Sequence, residues 1–260
     1  MKRNELKTII CKKIKCIQTR GELILLNGDK EAVHAVRVDF KKIRALLRLY
    51  RSTHKKNKNL PLPAVLKQLY HAAGSLRDRQ VYLELLLACH TDKQDKPVNY
   101  LKQISGDIKF HQEKLEKLLK IFPFDRVRKN LIDLFYSKLK DKQVKQYFLH
   151  AKKQLKQHRR DAQSDTSIHT VRKNIKDLLY NASLFKKNKI AAAVLKKRKW
   201  LKEIEDRTGA LNNMRVALSF IKRNRQQTPA DRIRLQSIMQ SWARKKNILK
   251  EVTLSQLKAF

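Results

Sequence analysis

The sequence predicts an all-α protein built as helical bundle, connector and second helical bundle, and three observations carry that expectation. Gly and Pro number only five each in 260 residues, which favours long helices with short connections. Apolar residues recur at three- and four-residue steps, the spacing that lines one face of a helix. Two separate segments also repeat at one constant offset of 135 residues. His34, Arg37 and Lys41 return as His169, Arg172 and Lys176, and Gly74-Ser75-Leu76-Arg77-Asp78 returns as Gly209-Ala210-Leu211-Asn212-Asn213. A register shared by two segments points to two similar halves.

The first helix is expected over residues 5–26, where Leu6, Ile9, Ile10, Ile14, Ile17, Leu23 and Ile24 share a face, and Asn27-Gly28-Asp29 closes it. Asp29 then offers a side-chain oxygen to the free N–H groups of a second helix, whose core stripe is Val33, Val36, Phe40, Ile43 and Leu47. The polar, proline-bearing stretch from Ser52 to Pro63 reads as a loop. A third helix follows from about Ala64, with Gly74 within it or at a break in it, and continues through Val81, Leu83, Leu85 and Leu86. After a loop from Asp92 to Pro97, Leu101, Ile104, Ile108, Leu115, Leu118 and Leu119 mark a fourth helix ending near Phe122-Pro123. These helices make a first bundle over residues 1–123.

Residues 124–139 have no counterpart at the repeat offset and are expected to form the connecting helix. Residues 140–260 retrace the first order as a second bundle. They give a helix over 140–160, a cap region at Ser164-Asp165-Thr166-Ser167 and the histidine helix from 168. A basic loop near 186–189 and a helix from about 190 lead through Gly209 to Phe220, before a break at Thr228-Pro229 and a last helix across Trp242.

Lys and Arg number 62 against 23 Asp and Glu, a net charge of +39, so a polyanion is the first partner to consider. Hydrophobic residues make up 42% of the chain, too many for a disordered basic tail. Cys11, Cys16 and Cys89 form no CxxC pair and are odd in number, which fits packing residues in a reducing cytosol. Lys12, Lys13 and Lys15 interrupt the first apolar stretch, unlike a signal peptide, and no run approaches the roughly 18 apolar residues that span a bilayer. The expectation is a cytoplasmic protein without membrane insertion.

At 100° per residue, His34, Arg37, Lys41, Arg44 and Arg48 fall within a sector of about 80° that borders the apolar stripe instead of lying opposite it. Cations beside a core lose hydration and repel one another unless something anionic sits among them. This sector holds no acidic residue, so a bound anion is the expected counterion. Arg forks and mobile Lys charges together suit a repetitive phosphate chain. His34 lies near its helix start, where free N–H groups also favour anions, and a neighbouring polyanion should favour its imidazolium form. In the second half Leu179 and Ser183 stand where Arg44 and Arg48 stand in the first, so the second basic stripe is shorter.

The pattern His34-x-x-Arg37-x-x-x-Lys41-Lys42-x-Arg44, Leu76-Arg77-Asp78, His169-x-x-Arg172-x-x-x-Lys176 and Gly209-x-Leu211-Asn212 resembles the CHAD domain, the conserved histidine α-helical domain. The resemblance spans nearly the whole chain. It implies two pseudo-symmetric four-helix bundles joined by a connecting helix, with a basic surface or channel that binds inorganic polyphosphate. The positions it marks are His34, Arg37, Lys41, Arg44 and Arg77 in the first half, and His169, Arg172, Lys176 and Asn212 in the second. Arg48 extends the first stripe. Lys67 and Lys202, also 135 apart, share a basic position seven residues before the motif glycine. The sequence departs from the pattern at Asn213, where Asp is usual, and Asp177 replaces the counterpart of Lys42. Many such domains are fused to a triphosphate-tunnel domain carrying an early Glu-x-Glu-x-Lys. That motif is missing here, so a stand-alone binding domain is expected, with possible association with polyphosphate granules.

The competing reading is nonspecific nucleic-acid binding or compaction, because such a charge predicts salt-sensitive affinity for any nucleic acid. Zinc-finger spacing, a GxxG loop and an aromatic RNP strand are missing, and the aromatics sit at apolar helical positions. Catalysis is not expected: the paired histidines are surrounded by cations that would repel a metal, and no GxxxxGK loop is present. Glu203, Glu205 and Asp206 read as internal salt-bridge partners. No cofactor or metal is expected.

Overall fold

A computed structural model describes residues 1–54, 62–89, 97–223 and 229–258, the side chain of Ala230 excepted. The described residues form ten α-helices and no strand. In chain order these are α1 (Arg3–Asn27), α2 (Lys30–Thr53), α3 (Ala64–Leu87), α4 (Val98–Lys120), α5 (Phe124–Asp133), α6 (Asp141–Arg160), α7 (Asp165–Leu184), α8 (Lys189–Lys196), α9 (Arg198–Arg223) and α10 (Pro229–Lys258). Of the loop expected from Ser52 to Pro63, Ser52 and Thr53 belong to α2 and residues 55–61 lie outside the described residues, as do residues 92–96 of the loop expected from Asp92 to Pro97, and Thr228.

The corner between α1 and α2 forms as its residues dictate. Gly28 takes the left-handed conformation, with φ 65°, and donates its N–H to the Ile24 carbonyl at 2.9 Å. Asp29 then accepts from the N–H groups of Glu31 at 2.8 Å and Ala32 at 3.1 Å, satisfying two donors that have no partner within the helix. Ser164 opens α7 in the same way, accepting from Ser167 N–H at 3.1 Å.

Of the two placements the sequence allows for Gly74, within α3 or at a break in it, the structure has it buried within the helix. One sequence expectation changes. The helix expected from about residue 190 is two helices, because at Lys197 the N–H turns back to the Val194 carbonyl, three residues away, and α9 begins at Arg198. The connecting segment holds the short α5 and a turn, and α5 packs on α1.

The predicted stripes build the main core. Leu6, Ile10, Ile14 and Ile17 of α1 meet Val33, Val36, Phe40 and Ile43 of α2, and the same cluster continues into Ile168, Val171, Ile175 and Leu178 of α7. The two histidine-bearing helices, α2 and α7, therefore pack directly on each other. Buried Asn181 ties them, donating to the Ala45 carbonyl at 3.1 Å and to the Tyr147 hydroxyl at 2.8 Å. A second core draws on both halves of the chain: Tyr82 and Leu86 of α3, Tyr100 and Ile104 of α4, Ala217 and Ile221 of α9, and Leu235, Ile238 and Trp242 of α10. Its polar atoms are partnered, Tyr82 with Tyr100 at 2.7 Å and Trp242 Nε1 with Cys89 Sγ at 2.8 Å. All three cysteines are free and half-buried. No helix among the described residues is long and apolar enough to cross a membrane.

Candidate anion-binding site

The repeated arginine and the repeated glycine form one device. Arg37 reaches from α2 across α3, donating through Nη1 to the Gly74 carbonyl at 3.0 Å and to Asp78 Oδ1 at 2.9 Å. Its guanidinium lies 3.6 Å from where a Cβ on Gly74 would sit. In the second half Arg172 reaches from α7 across α9, donating through Nε to the Glu205 carbonyl at 3.3 Å, and its Nη2 lies 3.1 Å from the Cβ position of Gly209. At Gly209 the bare backbone lets the flat cation lie closer than a Cβ would readily allow, whereas at Gly74 a Cβ would make ordinary contact. Each arginine thereby braces its histidine helix against the helix carrying the glycine motif.

The lysine four residues after each arginine has a different setting in each half. Lys176 pairs with Glu205 Oε1 at 3.0 Å, while Lys202 takes Glu205 Oε2 at 2.9 Å and Asp206 at 3.1 Å. Burial alone would raise the Glu205 carboxyl, but the hydrogen bonds and charges of Lys202 and Lys176 outweigh it and hold it below the usual carboxylate range. Among the described residues no carboxylate forms an ion pair with Lys41. Its neighbours are cations from both halves. Burial, followed by the charges of Lys176, Arg37, Arg172 and Arg44, lowers its pKa from 10.5 to about 7.

The Arg37 and Arg44 guanidiniums lie 5.7 and 5.9 Å from the Tyr70 ring centroid, and that ring stacks on Phe40 at 4.1 Å. A π face holds a cation while leaving its net charge in place. Both histidines flank the cluster. Burial, then Arg77 and Lys41, lowers the pKa of exposed His34. Burial, then Arg172, Lys173, Arg215 and Lys41, takes half-buried His169 to about 4, and its Nδ1 is buried without a hydrogen-bond partner. Burial and the surrounding cations hold both imidazoles toward the neutral form.

The structure thus draws His34, Arg37, Lys41 and Arg44 together with His169, Arg172 and Lys176 where α2 and α7 meet. The remaining predicted positions spread outward. Arg48 pairs with Asp177 across the two halves, which gives the charge reversal at that repeat position a structural role. Arg77 lies 3.6 Å from Glu84 and 3.9 Å from Glu31. Asn212 Oδ1 accepts from Arg215 at 3.2 Å, and Lys67 is exposed on α3.

One expectation is corrected. The basic sector of α2 carries no acid of its own, but Asp78, Asp177 and Glu205 reach it or its repeat from α3, α7 and α9. Of the lysines and arginines at the centre of the cluster, Lys41 thus stands apart from these acids, and the expectation of an acid-free stripe holds for it and not for Arg37, Arg48 or Lys176. Helical periodicity could not reveal these acids, because they belong to neighbouring helices. Tyr70 also escaped notice, although it lies four residues before Gly74 and so shares its face of α3. Among the described residues, no group of three or more His, Cys, Asp or Glu side chains could hold a metal ion.

Comparison with known proteins agrees with this arrangement of helices and repeats. The model of the CHAD domain family matches residues 8–222. A crystal structure of the CHAD domain from the plant Ricinus communis superimposes with a TM-score of 0.78 at 18% sequence identity, covering 99% of this chain and 92% of that one. No curated protein sequence matches the chain. The family match extends over both histidine motifs and both glycine motifs, and the chain belongs to the CHAD domain family.

Proposed function

We propose that the protein binds inorganic polyphosphate in the cluster of cations between α2 and α7. The observation that carries this reading is Lys41, a half-buried ammonium surrounded by Arg37, Arg44, Arg172 and Lys176 with no carboxylate of its own. Such a cluster is costly in isolation and is relieved by a ligand dense in negative charge. Phosphate oxygens meet that requirement, accepting hydrogen bonds from Lys and, in pairs, from Arg. A linear chain of phosphates can place successive charges against Lys41 and the guanidiniums around it, which come from both halves. The reading assigns the site a binding role with no chemical step.

Nucleic acid offers phosphates too, but a sugar separates each from the next so its charge is less dense, and the aromatics that could stack on its bases are committed elsewhere. Phe40 and Tyr70 stack on each other, and Tyr82, Tyr100 and Trp242 fill the second core. Competition tests the reading. Labelled polyphosphate bound to the protein at about 0.15 M salt is expected to be displaced by unlabelled polyphosphate at far lower phosphate concentration than by duplex DNA. Equal displacement by the two would return the activity to general surface charge.

A further inference from the structure

We infer that Glu205 is a built-in counter-anion that fills the second-half phosphate position of the cluster, and that Tyr70, its counterpart in the repeat, leaves the first-half position open for ligand. The inference rests on the polyphosphate reading and adds where within the cluster phosphate is held and what limits its affinity.

Tyr70 and Glu205 are 135 residues apart, the offset that relates the two histidine motifs, and each lies four residues before its motif glycine. They occupy the same repeat position, but Tyr70 faces the guanidiniums of Arg37 and Arg44 whereas the Glu205 carboxylate pairs with the ammonium groups of Lys176 and Lys202. Glu205 is only 7% exposed and spends one oxygen on Lys176 at 3.0 Å and the other on Lys202 at 2.9 Å. Two ammonium groups on two oxygens of one anion is the arrangement a phosphate group would itself adopt. A phosphate arriving at Lys176 and Lys202 must displace this carboxylate and leave it buried among fewer cations, which opposes binding.

In the first half the corresponding lysine, Lys41, meets no carboxylate, because an aromatic ring stands in the acid's place. Tyr70 steadies Arg37 and Arg44 without cancelling their charge. The chain thus carries one open and one self-occupied phosphate position, although its sequence motif is written twice.

Two substitutions test this in opposite directions, using the whole chain and polyphosphate of defined length. Glu205→Gln keeps the side-chain volume and removes the internal anion. Its affinity is expected to tighten about tenfold or more, with a steeper dependence on salt because more cations reach the ligand. Tyr70→Glu installs the second-half arrangement in the first half and is expected to weaken binding about tenfold or more. Tyr70→Phe, which keeps the ring, should bind as the unmodified protein does.

Unchanged or weaker affinity in Glu205→Gln with an intact thermal transition would overturn the inference, as would unchanged affinity in Tyr70→Glu. Should Glu205→Gln fail to fold, Tyr70→Glu alone decides. Binding by the unmodified chain with either of these contrary results removes the inference and leaves the polyphosphate reading standing, whereas no binding by the unmodified chain removes both.

Discussion

Replacing Lys41 with Met should stabilise the free protein while weakening its hold on polyphosphate. Met is also unbranched and flexible, so it can fill the same space without the buried charge. The fall of the Lys41 pKa from 10.5 to about 7, at about 1.4 kcal/mol per pH unit, sets an upper bound of about 5 kcal/mol on the strain of holding the charged form. Partial solvent access and relaxation reduce the expected gain to about 1–3 kcal/mol. The gain carries a pH signature. Between about 7 and 10.5 the unfolded chain binds the Lys41 proton more tightly than the folded one, so this group's contribution to wild-type stability is present above 10.5 and lost as pH falls to about 7. The advantage of Lys41→Met must therefore grow from pH 9.5 to pH 6.5 and level off below. Thermal unfolding of protein stripped of polyanions by high salt measures it, with a rise in Tm of about 3–8 °C expected at pH 6.5. A variant less stable than wild type at pH 6.5, or one with the same advantage at both pH values, would refute the account of Lys41 as an unneutralised cation.

The same group predicts that polyphosphate binding takes up protons. At pH 8 the free Lys41 is mostly neutral and a bound anion favours its ammonium form, so uptake should approach one proton per complex and affinity should fall as pH rises from 7 to 9. Calorimetry in two buffers of different ionisation enthalpy reads the uptake, and heats independent of buffer would contradict it. The two motif glycines should respond differently to alanine. A Cβ at Gly74 meets the Arg37 guanidinium at an ordinary 3.6 Å, so Gly74→Ala should gain the helix preference of about 0.5–1 kcal/mol. A Cβ at Gly209 comes within 3.1 Å of Arg172, which its bond to the Glu205 carbonyl restrains, so Gly209→Ala should gain less or lose stability. Equal gains in chemical unfolding would show that the arginines are not braced as described.

The histidine helices were legible in the sequence because their apolar positions repeat at helical spacing and Asp29 and Ser164 mark their starts. Periodicity also placed Arg37, Lys41, Arg172 and Lys176 at the edge of the core. It identifies which face of a helix is buried and is silent on which helix covers it. For that reason the joining of α3 and α4 to α9 and α10 around Trp242, and the meeting of the two basic faces across α2 and α7, required the fold. Glu205 was legible as a salt-bridge partner because Lys202 lies three residues before it, but its pairing with Lys176, and those of Asp78 with Arg37 and Asp177 with Arg48, join residues far apart in sequence. Tyr70 and Glu205 were visible as a pair at the repeat offset, but a tyrosine opposite a glutamate carries no meaning until Arg37, Arg44 and Lys176 are seen to face them.

Calorimetric titration of polyphosphate of defined length into the wild-type chain and into Lys41→Ala/Arg44→Ala at about 0.15 M salt tests the central claim most directly. Binding at the cluster centred on Lys41 predicts that the double substitution, which removes only two of 62 basic residues, lowers affinity by about a hundredfold or more while the thermal transition persists. Affinity unchanged in the folded variant would place binding on the general basic surface and contradict the site described here.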